Sequence, residues 1–185
     1  MALRQILTEP NKLLRTKSLA VEKVDEDIQK LMNDMLETLY AAPGIGLAAI
    51  QVGVPKRVII LDIGWRDKSE STNDEKQVAR KKPMYFVNPE IITKSTNNST
   101  YEEGCLSVPG QFAEIDRPDK CHIKYLDYYG QPKELVAEGM IATCIQHEID
   151  HLEGILFIDY LSKLKKSMIV KKLTKQKEQL DRIVI

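Results

Sequence analysis

The sequence predicts a single α+β domain in which antiparallel or mixed β-sheets surround a central buried helix, with an amphipathic helix at the C-terminal end. Three features predict this fold class: a helical repeat of apolar residues near the start, short apolar runs typical of strands in the middle, and a mostly apolar helix late in the chain. Because the chain has 185 residues and 43% of them are hydrophobic, it can bury one proper core and is too short for two comfortable domains.

The first predicted helix follows the acidic residues Asp25, Glu26 and Asp27, whose charges suit the positive end of a helix dipole. Its apolar residues recur with a helical period at Leu31, Met32, Met35, Leu36 and Leu39. We expect this helix to stop at Pro43 and Gly44, which are helix breakers.

Five segments have the pattern of short strands. They are Val58 to Leu61, Met84 to Val87, Glu90 to Lys94, Cys121 to Leu126 and Lys133 to Glu138. Asn88 and Pro89 are expected to separate the second from the third, and Asp127 to Gly130 to form a hairpin turn between the last two. Residues 64–83 are so rich in charge and so poor in apolar side chains that we expect a mobile surface loop.

The charge balance and the cysteine count restrict the class of protein. The 27 basic residues balance 27 acidic ones, so the net charge does not favour DNA or an anionic membrane as a partner, and we expect a small or neutral substrate. Met1 to Pro10 lacks the apolar core of a signal peptide, and no stretch approaches the ~18 apolar residues of a membrane span, so we expect a cytoplasmic protein. The three cysteines are therefore expected to be free thiols.

Residues 161–185 are predicted to form a basic amphipathic helix that extends a main domain of residues 1–160. The expected apolar stripe of this helix is Leu161, Leu164, Met168, Ile169 and Leu173. Two interpretations remain open. The commoner one is a terminal helix packed by this stripe with its lysines simply solvated, and the other is a docking surface for the ribosome or another anionic partner.

The run HEIDH, from His147 to His151, carries the clearest chemistry in the chain. Residues four apart on a helix lie one above the other about 6 Å apart, so the two imidazoles can bind one divalent ion. Glu148 is then free to hold a water molecule at the ion and to move its proton. Gly139 to Gln146 are mostly apolar and predict a buried helix, in which histidines need partners. The central helix is therefore predicted to bind a metal, although the motif alone also occurs by chance.

A catalytic metal usually has three protein ligands and one open position, so a third ligand must come from elsewhere in the chain. Cys144 lies about 10.5 Å of axial rise from His151 and cannot share an ion with both histidines. Cys121 and His122 alternate along a predicted strand, and we expect ordinary packing for both. Cys105 stands in the segment EEGCLSVP beside a glycine and a turn-like segment. It is the best thiolate candidate, with a buried small hydrophobic residue as an equal alternative.

Two families of proteases with related helices fit the sequence poorly. A metzincin continues HExxHxxGxxH, and although Gly154 is present, Phe157 takes the place of the last histidine. A thermolysin-like protease needs a glutamate ligand on a later helix, and only Glu178 in the basic tail is distant enough.

Three separate motifs give the sequence a family resemblance. They are GIGLAAIQ at Gly44 to Gln51, EGCLS at Glu103 to Ser107 and QHEIDH at Gln146 to His151. Their order and spacing resemble the signature motifs of the bacterial-type peptide deformylases, and the resemblance covers nearly the whole chain. It implies a hydrolase that removes the N-formyl group from the initiator methionine of a nascent polypeptide and releases formate, with residues 1–160 as the catalytic domain.

The resemblance also implies roles for individual residues. The implied ligands of one divalent ion per chain are Cys105, His147 and His151. Glu148 is implied to be the general acid and base, with water as the fourth ligand of the ion. The side-chain amide of Gln51 and the backbone N–H of Leu106 are implied to stabilise the oxyanion.

The nascent peptide is implied to lie extended along the glycine-rich run as an added strand. The residues implied to contact its backbone are Ile45, Gly46 and Gly104. The residues implied to enclose the methionine side chain are Ile45, Tyr101, Met140 and Cys144. Arg117 and Asp150 resemble a family pair that we expect to fix the metal-binding helix against the strands, whereas Phe112 stands where relatives often have an arginine.

The resemblance implies Fe(II) as the native metal, with zinc, nickel or cobalt as substitutes in purified protein. N-formylmethionyl nascent peptides are the implied partners, with the ribosome as a further candidate, and neither DNA nor a membrane is expected. Two alternatives remain open: a catalytically inactive deformylase-like binding protein, and a general HExxH metalloprotease.

Overall fold

The computed structural model describes residues 2–64 and 81–183, and within them the chain forms one α+β unit of three α-helices and seven β-strands. The α-helices are α1 (Glu26–Ala41), α2 (Met140–Leu152) and α3 (Lys163–Ile183). The strands are β1 (Gly46–Ala48), β2 (Val58–Leu61), β3 (Met84–Lys94), β4 (Asn98–Cys105), β5 (Val108–Pro118), β6 (Lys120–Leu126) and β7 (Pro132–Glu138). The predicted fold class is confirmed, since antiparallel sheets pack around the buried helix α2.

A five-stranded antiparallel sheet in the order β1-β2-β3-β6-β7 lies between α1 and α2. Strand β2 shows how, because all four of its residues are buried and they alternate between two cores. Val58 and Ile60 pack with α1, whereas Ile59 and Leu61 pack with α2. The continuous apolar run that predicted this strand is thus the pattern of a strand covered on both faces.

Helix α1 begins and ends where the sequence predicted. A side-chain oxygen of Asp25 accepts the backbone N–H of Ile28 at 3.0 Å, and two more acidic residues occupy the first turn. The helix ends at Ala41, two residues before Pro43. Local capping and a local breaker were therefore sufficient to predict its bounds.

The predicted division of β3 into two strands is wrong. Met84–Val87 and Glu90–Lys94 belong to one strand, because the chain bulges at Asn88 and Pro89 instead of breaking. Asn88 adopts a positive φ of 51°, and its side-chain amide bonds both the N–H and the C=O of Val21 at 2.8 Å. This contact with a distant segment stabilises the bulge and lets the strand continue beyond it.

Strands β4 and β5 form a separate two-stranded sheet that the sequence analysis did not predict. An alternating pattern is present in β5, where Ala113, Ile115 and Arg117 are buried and the residues between them are exposed. Arg117 conceals this pattern, because an arginine is expected to face solvent. Cys105 ends β4 directly before the tight turn into β5, in agreement with the turn-like segment expected there.

The predicted hairpin is confirmed as β6 and β7, which are joined by a turn at Asp127 to Gly130. Cys121 is buried in the core that α2 shares with the sheet. His122 points to the other face, where its Nε2 lies 2.8 Å from a carboxylate oxygen of Glu134. Both residues therefore have the ordinary packing roles expected from the alternation.

Helix α3 is amphipathic, but two members of its predicted apolar stripe are wrong. Leu173 is 3% exposed and packs with Ile169 against the cluster that includes β5. Leu164 and Met168 are 73% and 63% exposed. The reason is angular, because Leu164 precedes Leu173 by nine residues, which at about 100° per residue is the opposite side of the helix.

The described helices do not include a membrane span, since none within residues 2–64 and 81–183 is both long and apolar enough to cross a bilayer. The three cysteines are free thiols, as predicted. Residues 65–80, which make up most of the loop predicted at 64–83, lie outside the described residues.

Candidate metal centre

Helix α2 carries the HEIDH run into the interior of the protein. It begins directly after Gly139, whose positive φ of 61° lets the chain turn from β7 into the helix. Apolar residues on one side of α2 pack on the five-stranded sheet. As a result His147 and His151 are buried, and their rings lie one helical turn apart with centroids separated by 5.0 Å.

Cys105, at the end of β4, brings a sulfur atom to these two rings. Its Sγ lies 3.2 Å from Nε2 of His151, and one candidate ligand atom from each of Cys105, His147 and His151 lies within 4.8 Å of the other two. Across residues 2–64 and 81–183, this is the one group of three or more His, Cys, Asp or Glu side chains close enough to hold an ion. A thiolate and two imidazoles form a donor set that suits zinc, iron, nickel or cobalt and leaves one position open.

The other candidate donors lie elsewhere. Cys144 lines the neighbouring cavity but is not part of the group, and Cys121 is in the core. Glu178 is exposed on α3. Phe157, at the position where a metzincin has its last histidine, has no donor atom and stacks on the ring of His147 with centroids 6.3 Å apart.

Glu103 supports the centre, and the sequence analysis gave it no role of its own. Its buried carboxylate lies 2.8 Å from Nδ1 of His147, which leaves Nε2 of that ring for an ion. The same carboxylate accepts two N–H groups of Arg117, at 2.5 and 3.0 Å. Burial raises the pKa of Glu103, but the hydrogen bonds with His147 and Arg117 outweigh burial and hold its pKa below the usual value. Its place in the EGCLS motif, two residues before Cys105, was the signal available in the sequence.

The expected contact between Arg117 and Asp150 is confirmed. A terminal nitrogen of Arg117 lies 2.7 Å from Oδ2 of Asp150, and that oxygen also accepts the hydroxyl of Tyr160 at 2.8 Å. Arg117 is 4% exposed and thus joins two carboxylates, Glu103 on β4 and Asp150 on α2. One buried cation therefore fixes the two elements that supply the candidate ligands.

The two imidazoles differ in their affinity for a proton. Burial lowers the pKa of His147, but hydrogen bonds with Cys105 and Glu103 outweigh burial and hold its pKa well above the usual value. Burial lowers the pKa of His151 well below its usual value, and the positive charges of His147 and Arg117 act in the same direction. The lowered pKa of His151 favours the neutral form that binds metals, whereas the raised pKa of His147 means that an ion competes with a proton for that ring.

Glu148 lies beside the candidate ligands with its carboxylate enclosed. It packs so closely on Gly46 of β1 that a Cβ atom at that position would overlap its Oε1 atom, so any larger residue there would displace the carboxylate. Burial raises the pKa of Glu148 to about 7; the charge of Glu103 also raises it, whereas that of His147 lowers it. Within the described residues its Oε2 has no hydrogen-bond partner. A carboxyl group with such a pKa can both accept and donate a proton near neutral pH.

Gln51 lies in a short turn that follows β1, and it is 1% exposed. Its Oε1 accepts the backbone N–H of Ala48 at 2.8 Å. Its Nε2 donates to the hydroxyl oxygen of Ser107 at 3.1 Å and lies 3.6 Å from Sγ of Cys105. Leu106 is the next residue after Cys105, and it lines the same cavity as Gln51.

A cavity of about 630 Å³ opens over the candidate ligands. The residues expected to contact the substrate all line it: Ile45, Gly46, Tyr101, Gly104, Met140 and Cys144. The cavity is also lined by five residues that are expected to take part in the chemistry: Gln51, Cys105, Leu106, His147 and Glu148. Phe112 lies at the rim with 66% of its surface exposed, and its ring packs on Gly104. Residues from three distant motifs thus surround one cavity.

Comparison with known proteins finds relatives over the whole chain. A family model described as polypeptide deformylase matches residues 3–167. The peptide deformylase of Pelagibacter ubique is 60% identical to this chain and covers 100% of both sequences. That of Maricaulis maris is 54% identical and covers 98% of both sequences. The solved peptide deformylase of Ehrlichia chaffeensis in complex with actinonin has a TM-score of 0.85 at 41% identity, covering 95% of this chain and 98% of that one. The peptide deformylase of Legionella pneumophila has a TM-score of 0.83 at 42% identity, covering 98% and 99%.

We predict that Arg117→Ala lowers the free energy of unfolding by about 3 to 5 kcal/mol, because it leaves the carboxylates of Glu103 and Asp150 without their buried cation. Urea denaturation with metal analysis of the folded fraction measures both stability and metal content. The matched control is Lys124→Ala, which removes an exposed ion pair with Glu90 and should cost less than about 1 kcal/mol. Equal melting and equal metal content in the two variants would contradict the structural role of Arg117.

Proposed function

The chain belongs to the polypeptide deformylase family, and on that premise we propose that Cys105, His147 and His151 hold the metal ion on which its activity depends. Members of this family are metal-dependent enzymes that hydrolyse the N-formyl group of N-formylmethionyl peptides, and this is the reaction of this chain. The observation that supports the assignment of the ligands is a sulfur and two ring nitrogens within 4.8 Å of one another beside the cavity.

The proposed ligands define the charge at the centre. When bound, a divalent ion supplies a Lewis acid that polarises the formyl carbonyl and lowers the pKa of water. The thiolate of Cys105 contributes one negative charge and the neutral imidazoles contribute none, so the centre keeps a net positive charge. Glu103 holds the ring of His147 in place through Nδ1, which orients the ligand before an ion arrives.

Glu148 is proposed to move the proton during hydrolysis. It takes a proton from the attacking water and passes it to the nitrogen of the departing amine, so that formate and a free amino terminus remain. Its pKa of about 7 suits both steps, because a general base that must later act as an acid works best near the operating pH. The side chain of Glu148 lines the cavity in which the water and the amine would lie.

Gln51 and Leu106 are proposed to stabilise the charge that develops on the formyl oxygen. The amide of Gln51 is held through its oxygen by Ala48 and through its nitrogen by Ser107, so its donor needs no reorganisation when the charge forms. The backbone N–H of Leu106 is the second donor. Each such donor lowers the barrier by about 3 kcal/mol.

The cavity is proposed to bind the substrate as an extended peptide. Its backbone is recognised by Ile45 and Gly46 on one side and by Gly104 on the other, in the manner of an added strand. The methionine side chain enters the apolar part of the cavity. That part is lined by Ile45, Tyr101, Met140 and Cys144. Phe112 offers an apolar surface at the rim, where residues after the methionine leave the cavity.

We predict that Glu148→Ala lowers kcat for release of formate from a formyl-methionyl peptide by about 100-fold to 10 000-fold while the metal is retained. A coupled formate assay on metal-analysed protein measures this loss. Glu102→Ala is the matched control, because Glu102 is an exposed carboxylate on the same cavity and should leave kcat nearly unchanged.

Three outcomes would contradict the role proposed for Glu148 or the reaction itself. Full activity of Glu148→Ala would exclude that residue as the acid and base. Metal-loaded wild-type protein that binds the peptide but releases no formate would indicate an inactive binding protein. Digestion of casein at internal peptide bonds would indicate a general metalloprotease.

The metal is proposed to be Fe(II), with zinc, nickel or cobalt able to replace it. The donor set supports this range, because one thiolate and two imidazoles bind several first-row ions and availability then determines which ion is present. A thiolate ligand and an open position leave iron accessible to oxygen. Zinc and nickel in the same site do not oxidise in air.

We predict that protein loaded with Fe(II) under nitrogen loses most of its activity on exposure to air, whereas protein loaded with nickel keeps it. Formate release before and after exposure measures the difference, and the nickel form is the control for damage to the protein. Equal activity of the iron form before and after exposure would contradict the assignment of iron as an oxygen-sensitive native metal.

Residues 1–160 are proposed to form the catalytic domain, and residues 161–185 a C-terminal extension of it. Helix α3, in this extension, is proposed to dock on the ribosome. The chain as a whole has equal numbers of acidic and basic residues, so the seven lysines of α3 concentrate positive charge locally. Phosphates of ribosomal RNA attract such a surface. A cytoplasmic location is part of the same proposal, because the nascent chains that this docking would serve emerge from ribosomes.

We predict that replacing Lys171, Lys172 and Lys175 with glutamine weakens co-sedimentation with ribosomes, most strongly at low salt. All three side chains are exposed, so the fold should not change. The matched control replaces Lys120, Lys124 and Lys133, three exposed lysines of the β6–β7 hairpin, and removes the same charge. Equal co-sedimentation of both variants and the wild type would favour a helix that only packs on its own domain.

A further inference from the structure

Ser107 is a completely buried serine in the first turn after Cys105, and its side chain contacts Gln51. The hydroxyl oxygen of Ser107 accepts an N–H from Nε2 of Gln51 at 3.1 Å. Its backbone N–H lies 3.4 Å from Sγ of Cys105. Ser107 therefore contacts both the proposed thiolate ligand and the proposed oxyanion donor. It does not line the methionine pocket, and it is not one of the proposed ligands.

The hydrogen bonds around Gln51 fix which way its amide points. The backbone N–H of Ala48 can only donate, so the side-chain atom 2.8 Å away must be the carbonyl oxygen. The NH₂ group is then on the other side, where one hydrogen is directed at Ser107 and Sγ of Cys105 lies 3.6 Å from the nitrogen. Without the hydroxyl of Ser107, the amide would keep the bond to Ala48 and the longer contact with Sγ of Cys105, and it would lose its shortest contact through nitrogen.

Backbone hydrogen bonds from the N-terminal segment also fix the main chain at Gln51 and Ser107. The N–H of Leu7 donates to the carbonyl of Gln51 at 2.7 Å, and the N–H of Glu9 donates to the carbonyl of Ser107 at 2.8 Å. One short N-terminal segment thus ties the first motif to the second. Because both backbones are fixed, a change of the Ser107 side chain acts on the amide of Gln51 rather than on the path of the chain.

We propose that Ser107 is a positioning residue for the hydrolysis. By accepting one N–H of Gln51, its hydroxyl fixes the orientation of the amide, so that the second N–H stays beside Sγ of Cys105 at the wall of the cavity where the formyl oxygen would gain charge. The inference rests on the proposed role of Gln51. It adds that this donor is fully effective only while Ser107 holds it, and that the sulfur of Cys105 is influenced by the same contact.

The first test is Ser107→Ala in protein loaded with a metal. We expect kcat to fall about tenfold, which is less than the 10²-fold to 10³-fold cost of losing a whole donor, while KM changes less than about twofold. Ser107→Thr keeps the hydroxyl and should retain kcat within about threefold. The control is Ser18→Ala, which removes another buried serine hydroxyl, one without a hydrogen-bond partner in the described residues, and should change neither parameter.

A second readout separates positioning from a general loss of structure. In the cobalt-loaded protein, the thiolate-to-metal absorption band should shift in Ser107→Ala, because the N–H groups around Sγ of Cys105 rearrange. The band should be unchanged in Ser18→Ala. An unshifted band together with an unchanged kcat in Ser107→Ala would overturn the proposal.

A double-mutant cycle with Gln51→Leu identifies the residue through which Ser107 acts. If Ser107 works by positioning Gln51, the loss of kcat caused by Ser107→Ala should disappear in the Gln51→Leu background. The same loss in both backgrounds would overturn the proposal and leave the role of Gln51 intact. If Gln51→Leu alone leaves kcat unchanged, the donor role assigned to Gln51 is wrong. That result would not affect the conclusions on formate release or on Glu148, which are tested by other variants.

Discussion

The site depends on one constraint, which is that two imidazoles and a carboxylate are buried on the inner side of a helix that faces apolar strands. Buried polar atoms have to be paired, and at this site the pairing runs through Glu103, which holds His147 and is itself held by Arg117. Arg117 extends the network to Asp150 on the same helix as the histidine. Nε2 of His151 lies 3.2 Å from Sγ of Cys105, so the centre is shaped in part by Glu103 and Arg117, which do not need to contact an ion.

The chemistry is divided among elements that are far apart in the chain and fixed against one another by ordinary packing. The five-stranded sheet is covered by α1 on one face and by α2 on the other, which sets the depth of the histidines. The β4–β5 turn brings the sulfur, and the turn after β1 brings the amide of Gln51. A backbone strap at Leu7 and Glu9 joins those two turns. Such division suits catalysis, because each donor is held by a separate rigid element.

The described residues of helix α3 do not line the cavity, but the helix packs on the apolar cluster that includes Cys105 and Phe157. It is attached through Leu173 and Ile169, while Leu164 and Met168 remain exposed among lysines. Its attachment buries one narrow side, and Lys171, Lys172 and Lys175 on the rest of its surface are exposed. A chain with no net charge can thus present a local basic surface.

The sequence by itself determined what depends on local patterns: the class of fold, the bounds of α1, the buried strand β2, and three motifs specific enough to identify a family of enzymes. Only the tertiary structure decided that the chain bulges at Asn88 instead of breaking, that β4 and β5 pair, and that Leu164 faces solvent. It also decided that Glu103 holds His147, a contact between residues 44 positions apart. The physical reason is the same in each case. Periodicity and capping act over a few residues, whereas the partner of a buried polar group or a breaker residue is chosen by the folding of distant segments against each other.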